Sequence, residues 1–274
     1  MTFLEMLDGA VTKNNSLLCV GLDPDITKIP KAVTSKPNPL YTFNKAIIDA
    51  TADLVCAFKL NSAFYEAYGS DGIEQLQKTC AYIHKKYPEL PIILDFKRGD
   101  IGNTNNYYAE FAFDYLGVDA ITISPYMGRE ANEPYLAYKD KGIIVLCRTS
   151  NPGAGEFQDL EVGGKKVYRI VAEEVMSKWN KNKNCLLVIG SPYPDELLEI
   201  RQALGNDAVF LIPGLGSQGG DAKKTVQAGI NTMGKGIVIN SSREVIYASA
   251  DGNYAAAAQT KAIELRNIIN KYRS

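Results

Sequence analysis

Residues 91–125, PIILDFKRGDIGNTNNYYAEFAFDYLGVDAITISP, read as strand, helix, strand. The two apolar runs PIILDFK and DAITISP are rich in β-branched residues and end in turn signals, while NNYYAEFAFDYLG between them places apolar residues at helical spacing. A strand apolar on both faces that returns through a helix is the unit of a parallel sheet covered on both sides. The unit recurs in both directions: LLCVGLD from Leu17 and LVCAFKL from Leu54 come before it, and GIIVLCR from Gly142, CLLVIGS from Cys185, AVFLIPG from Ala208 and GIVINSS from Gly236 come after. Segments such as YTFNKAIIDATA, IEQLQKTCAYIHKKY, PDELLEIRQALG and AAAAQTKAIELRNIINKY supply the intervening helices. Eight such alternations predict an α/β fold, a single (β/α)8 TIM barrel occupying residues 1–274 as one domain. A doubly wound open sheet is the structural alternative.

Composition narrows the partners. Lys and Arg total 30 against 31 Asp and Glu, so no long-range positive field exists to hold a nucleic-acid backbone or an anionic membrane. Any anion must be bound by local geometry. No apolar run approaches the roughly 18 residues of a spanning helix, and the opening MTFLEMLDGAVTKNN carries acids instead of a positive start followed by an apolar stretch, so a cytoplasmic location is expected. Cys19, Cys56, Cys147 and Cys185 fall inside apolar runs, as reduced thiols of a core do. The single histidine, His84, lies in the polar HKKYPE end of a predicted helix, and no Cys or His pair has ligand spacing. Neither a protein metal site nor a cofactor is expected.

In a barrel, chemistry collects where the strands end. Those ends carry Asp23 after strand one, Lys59 and Asn61 after strand two, Asp95, Lys97 and Asp100 after strand three, and Arg148, Thr149 and Ser150 after strand five. Side chains two apart on a strand share a face, so Asp95 and Lys97 point together and Phe96 points away. Joined by Lys59 from the next strand, they would form an array of fixed charges that is costly for folding and typical of a reaction site. Spacing alone also leaves open a structural ion pair capping the strand. The glycine-rich loop after strand seven, opening a helix, and Arg243 after strand eight occupy the usual phosphate position of this barrel, with Gln218, Arg243 and backbone amides near Ser242 as the expected contacts. Gly214-x-Gly216-x-x-Gly219 satisfies the dinucleotide fingerprint literally, but it follows the seventh strand instead of opening a βαβ unit. The loop NPGAGEFQDLEVGG, residues 151–164, reads as a lid over the site, with a plain surface insertion as the alternative. Tyr107, Tyr108, Phe111 and Phe113 read as helix packing or a dimer interface.

LDFKRGDIGNT, residues 94–104, resembles the Asp-x-Lys-x-x-Asp-Ile signature of the orotidine 5′-phosphate decarboxylases. GLDPD at Gly21, FKLN at Phe58, TSNPGA at Thr149, PGLGSQGGD at Pro213 and NSSREVIYA at Asn240 match in order, so the resemblance covers nearly the whole chain and fits the longer of the family's two branches. It implies conversion of orotidine 5′-phosphate to uridine 5′-phosphate, the last step of de novo pyrimidine nucleotide biosynthesis, without metal, cofactor or covalent intermediate. It casts Lys97 as proton donor, Asp95 as the carboxylate facing the substrate's own, and Lys59 and Asp100 as completing the array. Asp100, Ile101 and Thr104 are implied to enter the neighbouring subunit's site, which makes a homodimer part of the chemistry. Asp23 and Asn61, with Lys59, are implied to bind ribose hydroxyls and Ser150 to read the pyrimidine edge, while Pro213, Gln218, Ser242 and Arg243 belong to the substrate site's other end. Rival readings are a different phosphate-binding barrel enzyme, either a Schiff-base aldolase using Lys97 or Lys59 or a magnesium-dependent sugar-phosphate decarboxylase, and an inactive barrel that only binds a nucleotide.

Overall fold

Runs of β-branched residues form eight parallel staves: β1 (Leu18–Gly21), β2 (Ala57–Asn61), β3 (Ile92–Arg98), β4 (Ala120–Ile123), β5 (Gly142–Arg148), β6 (Cys185–Ile189), β7 (Phe210–Pro213) and β8 (Ile237–Ser241). The computed structural model describes residues 1–215 and 221–273. Each stave pairs with its neighbours in sequence, and β1 pairs with β8 through Leu18 against Ile239 and Cys19 against Asn240. That last pairing closes the sheet and rules out the open doubly wound alternative. Residues of β4, β6 and β8 are buried along their whole length, because one face fills the barrel and the other meets helices.

A helix follows every strand: Pro39–Thr51, Gly69–Lys86, Gly102–Ala109, Gly128–Leu136, Val167–Glu174, Pro194–Leu204, Ala222–Gly229 and Tyr254–Lys271. Two of them run on as π-helical turns, Glu110–Tyr115 and Val175–Trp179, where Leu116 N–H reaches back to Phe111 O and Asn180 N–H to Val175 O, both at 3.0 Å. Helical periodicity in the sequence does not reveal these turns, since one accommodated residue barely moves the apolar stripe. The helix Phe3–Lys13 precedes the barrel. It opens on a reciprocal cap between Thr2 and Glu5 and buries Phe3, Leu7, Ala10 and Val11. Phe3 lies against Gly142 at the start of β5, so this helix closes the end of the barrel opposite the site.

All five cysteines are free and buried, as expected for core thiols. His84 stands in the helix Gly69–Lys86 with its ring 3.6 Å from Asp119. No helix of the described residues is long and apolar enough to cross a membrane.

Candidate active site

The carboxyl ends of the staves surround a cavity of about 540 Å³. Asp23, Lys59, Asn61, Asp95, Lys97, Ser150, Pro213, Ser242 and Arg243 all line it, so residues spread over more than 200 positions of sequence meet in one place. Gln218, expected at the phosphate end, lies outside the described residues, as do Gly216 and Gly219.

At its floor the Asp95 carboxylate is bracketed by two ammonium groups. Lys59 Nζ donates to one oxygen at 3.0 Å and Lys97 Nζ to the other at 2.6 Å, while Thr122 Oγ1 also donates to Asp95 Oδ1 at 2.8 Å. Lys59 is only 4% exposed. Burial alone would strip its proton, but the negative charges of Asp23 and Asp95 outweigh burial and hold it above the ordinary lysine range. Burial likewise pushes Asp95 up, and the two lysines overcome that and hold its carboxyl far below the usual carboxylate range. Asp95 is therefore an anion that carries two cations with it.

Asp95 and Lys97 do face the cavity together, but strand alternation is not the whole cause. Leu94 pairs with Ile121 and Arg98 with Ile123, so β3 spends three residues where β4 spends one. Lys97 takes a left-handed backbone, φ 47°, within this bulge, and its N–H finds Thr122 Oγ1 at 3.0 Å. Such a conformation costs a non-glycine residue about 1–2 kcal/mol. Phe96, between the two charged residues, turns outward and is buried edge-on against Tyr108.

The rim is equally specific. Asp23 Oδ1 accepts the Asn61 N–H at 3.1 Å, joining the ends of β1 and β2. Its loop is propped by Tyr247, whose hydroxyl donates to Asp23 O at 2.9 Å and accepts from Asp25 N at 2.6 Å. Ser150 reaches the cavity because Gly190 makes room: a β-carbon on Gly190 would stand 2.7 Å from Ser150 Cα. Across β5, buried Arg148 packs its guanidinium 3.7 Å from the Tyr193 ring centroid and holds Asp159 at 3.0 Å. Gln158 accepts the Thr149 N–H at 2.8 Å. The segment 151–164, read as a lid, is thus tied to the end of β5 by these bonds and continues into a hairpin of Glu161–Val162 against Lys165–Lys166 turned by Gly163 and Gly164 at positive φ.

Residues 16–259 match the family described as Orotidine 5′-phosphate decarboxylase / HUMPS. The chain belongs to that family. An orotidine 5′-phosphate decarboxylase of Dechloromonas aromatica is 49% identical over 273 residues, covering 100% of both chains. The solved structure of Leishmania donovani OMP decarboxylase superposes with a TM-score of 0.86 at 36% identity, covering 100% of this chain and 99% of the other. Leishmania donovani UMP synthase gives the same TM-score at 38% identity, with 98% of this chain matched to 57% of that one. The Asp-x-Lys-x-x-Asp resemblance therefore rests on a family relation that spans the barrel and all its strand ends.

Three residues of the family signature stand apart from the cavity in the single chain. Asp100, Ile101 and Thr104 do not line it, and Asp100 Oδ1 instead accepts the Ile101 N–H at 2.7 Å. Expected to complete the array, Asp100 makes no contact with Lys97 within its own chain among the bonds observed. Sequence reading also missed residues that do line the cavity, Phe64, Thr122 and Gln158 among them, while Asn240 and Ser241, noted at the end of strand eight but given no role, line it too. Thr122 had a visible signal, a hydroxyl inside the apolar run AITI. Asn240 and Ser241 were visible as polar strand-end residues, whereas Gln158 depends on how the flap folds. Tyr107, Tyr108, Phe111 and Phe113 have separate surroundings: Tyr107 is exposed, Phe111 stacks on Tyr115, and Phe113 packs against Tyr138. Among the described residues no group of three or more His, Cys, Asp or Glu is arranged to hold a metal ion.

Proposed function

We propose that the chain removes carbon dioxide from orotidine 5′-phosphate to give uridine 5′-phosphate, as the last step of de novo pyrimidine nucleotide biosynthesis. The observation that carries this reading is the Lys59–Asp95–Lys97 array at the floor of the cavity, with Ser150 and Arg243 on its rim. The substrate carboxylate lies toward Asp95, so two anions face one another until the carbon–carbon bond breaks and carbon dioxide departs. The electron pair of that bond stays on the ring carbon beside the Lys97 ammonium. The cation stabilises the growing negative charge and then gives it a proton, and the neutral amine recovers its proton from solvent. Lys59, Asp23 and Asn61 bind the ribose hydroxyls, Ser150 meets the pyrimidine edge, and Pro213, Gln218, Ser242 and Arg243 serve the phosphate side, where a forked guanidinium suits a dianion. No metal or cofactor takes part on this reading.

The working unit is a homodimer with shared sites and the whole chain acting as one barrel domain. In its own chain the Lys97 side chain is 47% exposed, so the array needs a cover. Ile101 is 58% exposed, and Tyr107, Tyr126 and Met127 are exposed too, apolar side chains on the segments that follow β3 and β4 that suit a second copy bringing Asp100, Ile101 and Thr104. Five free buried thiols suit a reducing compartment, and the cytoplasm is the location proposed.

The direct test is loss of orotidine 5′-phosphate absorbance with a chelator present. Turnover unaffected by chelator and by borohydride supports the reading. A metal requirement or borohydride inactivation identifies one of the rival barrel chemistries, and binding without turnover identifies an inactive nucleotide-binding barrel.

A further inference from the structure

Among the described residues, Thr122 is the one side chain hydrogen-bonded to both Asp95 and Lys97 of β3. It stands on β4, buried at 1% exposure, and faces the three-residue bulge Asp95-Phe96-Lys97. In a regular parallel ladder the Lys97 N–H would meet a backbone carbonyl of β4. The bulge removes that partner, and Thr122 Oγ1 takes its place at 3.0 Å. An amide N–H only donates, so the hydroxyl must accept there and is left to spend its own proton on Asp95 Oδ1, 2.8 Å away. One hydroxyl thus fixes the left-handed backbone of Lys97 and orients the carboxylate, and its proton direction makes Asp95 Oδ1 the acceptor.

We infer that Thr122 is a positioning residue for the reaction: it holds the Lys97 backbone and the Asp95 carboxylate in register, so that the ammonium meets the reacting carbon. This rests on the decarboxylase reading above. A β-branched side chain suits the task, because a stiff χ1 keeps the hydroxyl aimed into the bulge.

The decisive pair is Thr122→Val, which swaps the hydroxyl for a methyl of similar shape, and Thr122→Ser, which keeps the hydroxyl and drops a methyl. Misplacing a reacting group by an ångström costs up to about 100-fold, so the valine variant is expected to lose about that much kcat. Its KM for orotidine 5′-phosphate should change by no more than about threefold, because rim contacts to ribose and phosphate are untouched. The serine variant should keep kcat within about threefold of wild type. Valine with unchanged kcat, or a loss confined to KM, overturns the inference. A serine variant that itself loses about 100-fold in kcat does so too, since the hydroxyl it keeps would then not be what holds the array, and this arm holds even if the valine protein fails to fold. Wild-type protein that does not decarboxylate orotidine 5′-phosphate defeats the functional reading instead. Crystal structures of the variants judge the positioning role even then: Lys97 should leave its left-handed conformation without the hydroxyl and keep it with serine. A valine variant with Asp95 and Lys97 unmoved contradicts the inference.

Discussion

Lys97 combines a strained backbone with the charge that the proposed chemistry needs, and the two can be separated by substitution. Lys97→Ala removes the ammonium and leaves the left-handed φ of 47° to a residue that also dislikes it. Turnover should fall at least by the roughly 10²–10⁴-fold typical of a lost general acid, with binding of uridine 5′-phosphate nearly unchanged, because the residue acts on the transition state. Lys97→Gly should be as inactive yet more stable than the alanine variant by about 1 kcal/mol, since glycine adopts that φ freely. Kinetics and thermal unfolding of the two variants decide the matter, and equal stabilities would show that the bulge carries no strain. Asp95→Ala should also be crippled in turnover while binding an anionic substrate analogue more tightly. Weaker binding of that analogue would count against the proposed repulsion.

At the scale of elements, the parallel staves were legible because their central residues are buried on both faces and bounded by polar turn residues, and runs such as CLLVI are too short for a helix. The strand-end residues were legible for the same reason: Asp23, Lys59, Asn61 and Asp95 stand at the ends of such runs. The bulge in β3 was not. It depends on Thr122, twenty-five positions beyond Lys97, offering a hydroxyl in place of a backbone carbonyl, and no local propensity records that. The flap was readable as glycine-rich but not as clamped, because its clamp pairs Arg148 with Asp159 across the cavity rim. Away from the site, the helices Pro39–Thr51 and Gly69–Lys86 are stitched together at Asp49, which accepts from Lys45, Tyr82, Lys86 and Tyr87, the last just beyond the second helix. Burial pushes this carboxyl up, but the four donors outweigh it and bring its pKa down to about 2. A depressed folded pKa means stability that is present above the unfolded value of about 3.9 and lost as pH falls through about 2. Asp49→Asn should therefore be less stable than wild type at pH 7, by no more than about 1 kcal/mol once solvent screening is allowed for, with the gap closing in acid. Thermal unfolding of both proteins from pH 7 downward checks this, and a gap independent of pH would mean the cluster contributes packing alone.

The whole molecule poses the question the single chain leaves to its partner. Lys97 lines its own cavity, whereas Asp100, three residues later, turns away from it beside the exposed Ile101. The family signature joins these residues in one motif, and the geometry is reconciled with it if each site draws Asp95 and Lys97 from one protomer and Asp100, Ile101 and Thr104 from the other. Alone, Lys97→Ala dimers lack the proton donor in both sites and Asp100→Ala dimers lack the contributed carboxylate in both. A heterodimer of the two concentrates both lesions in one site and leaves the other with an intact Lys97 and an intact Asp100. Co-unfolding and refolding the two variants at equal amounts gives about half mixed dimers by random reassortment, so about a quarter of all sites should recover. The measurement is decarboxylase activity of that mixture against each variant refolded alone. Recovery to about a quarter of the wild-type value is the predicted result, and activity that stays at the level of the single variants while heterodimers demonstrably form would contradict the shared site.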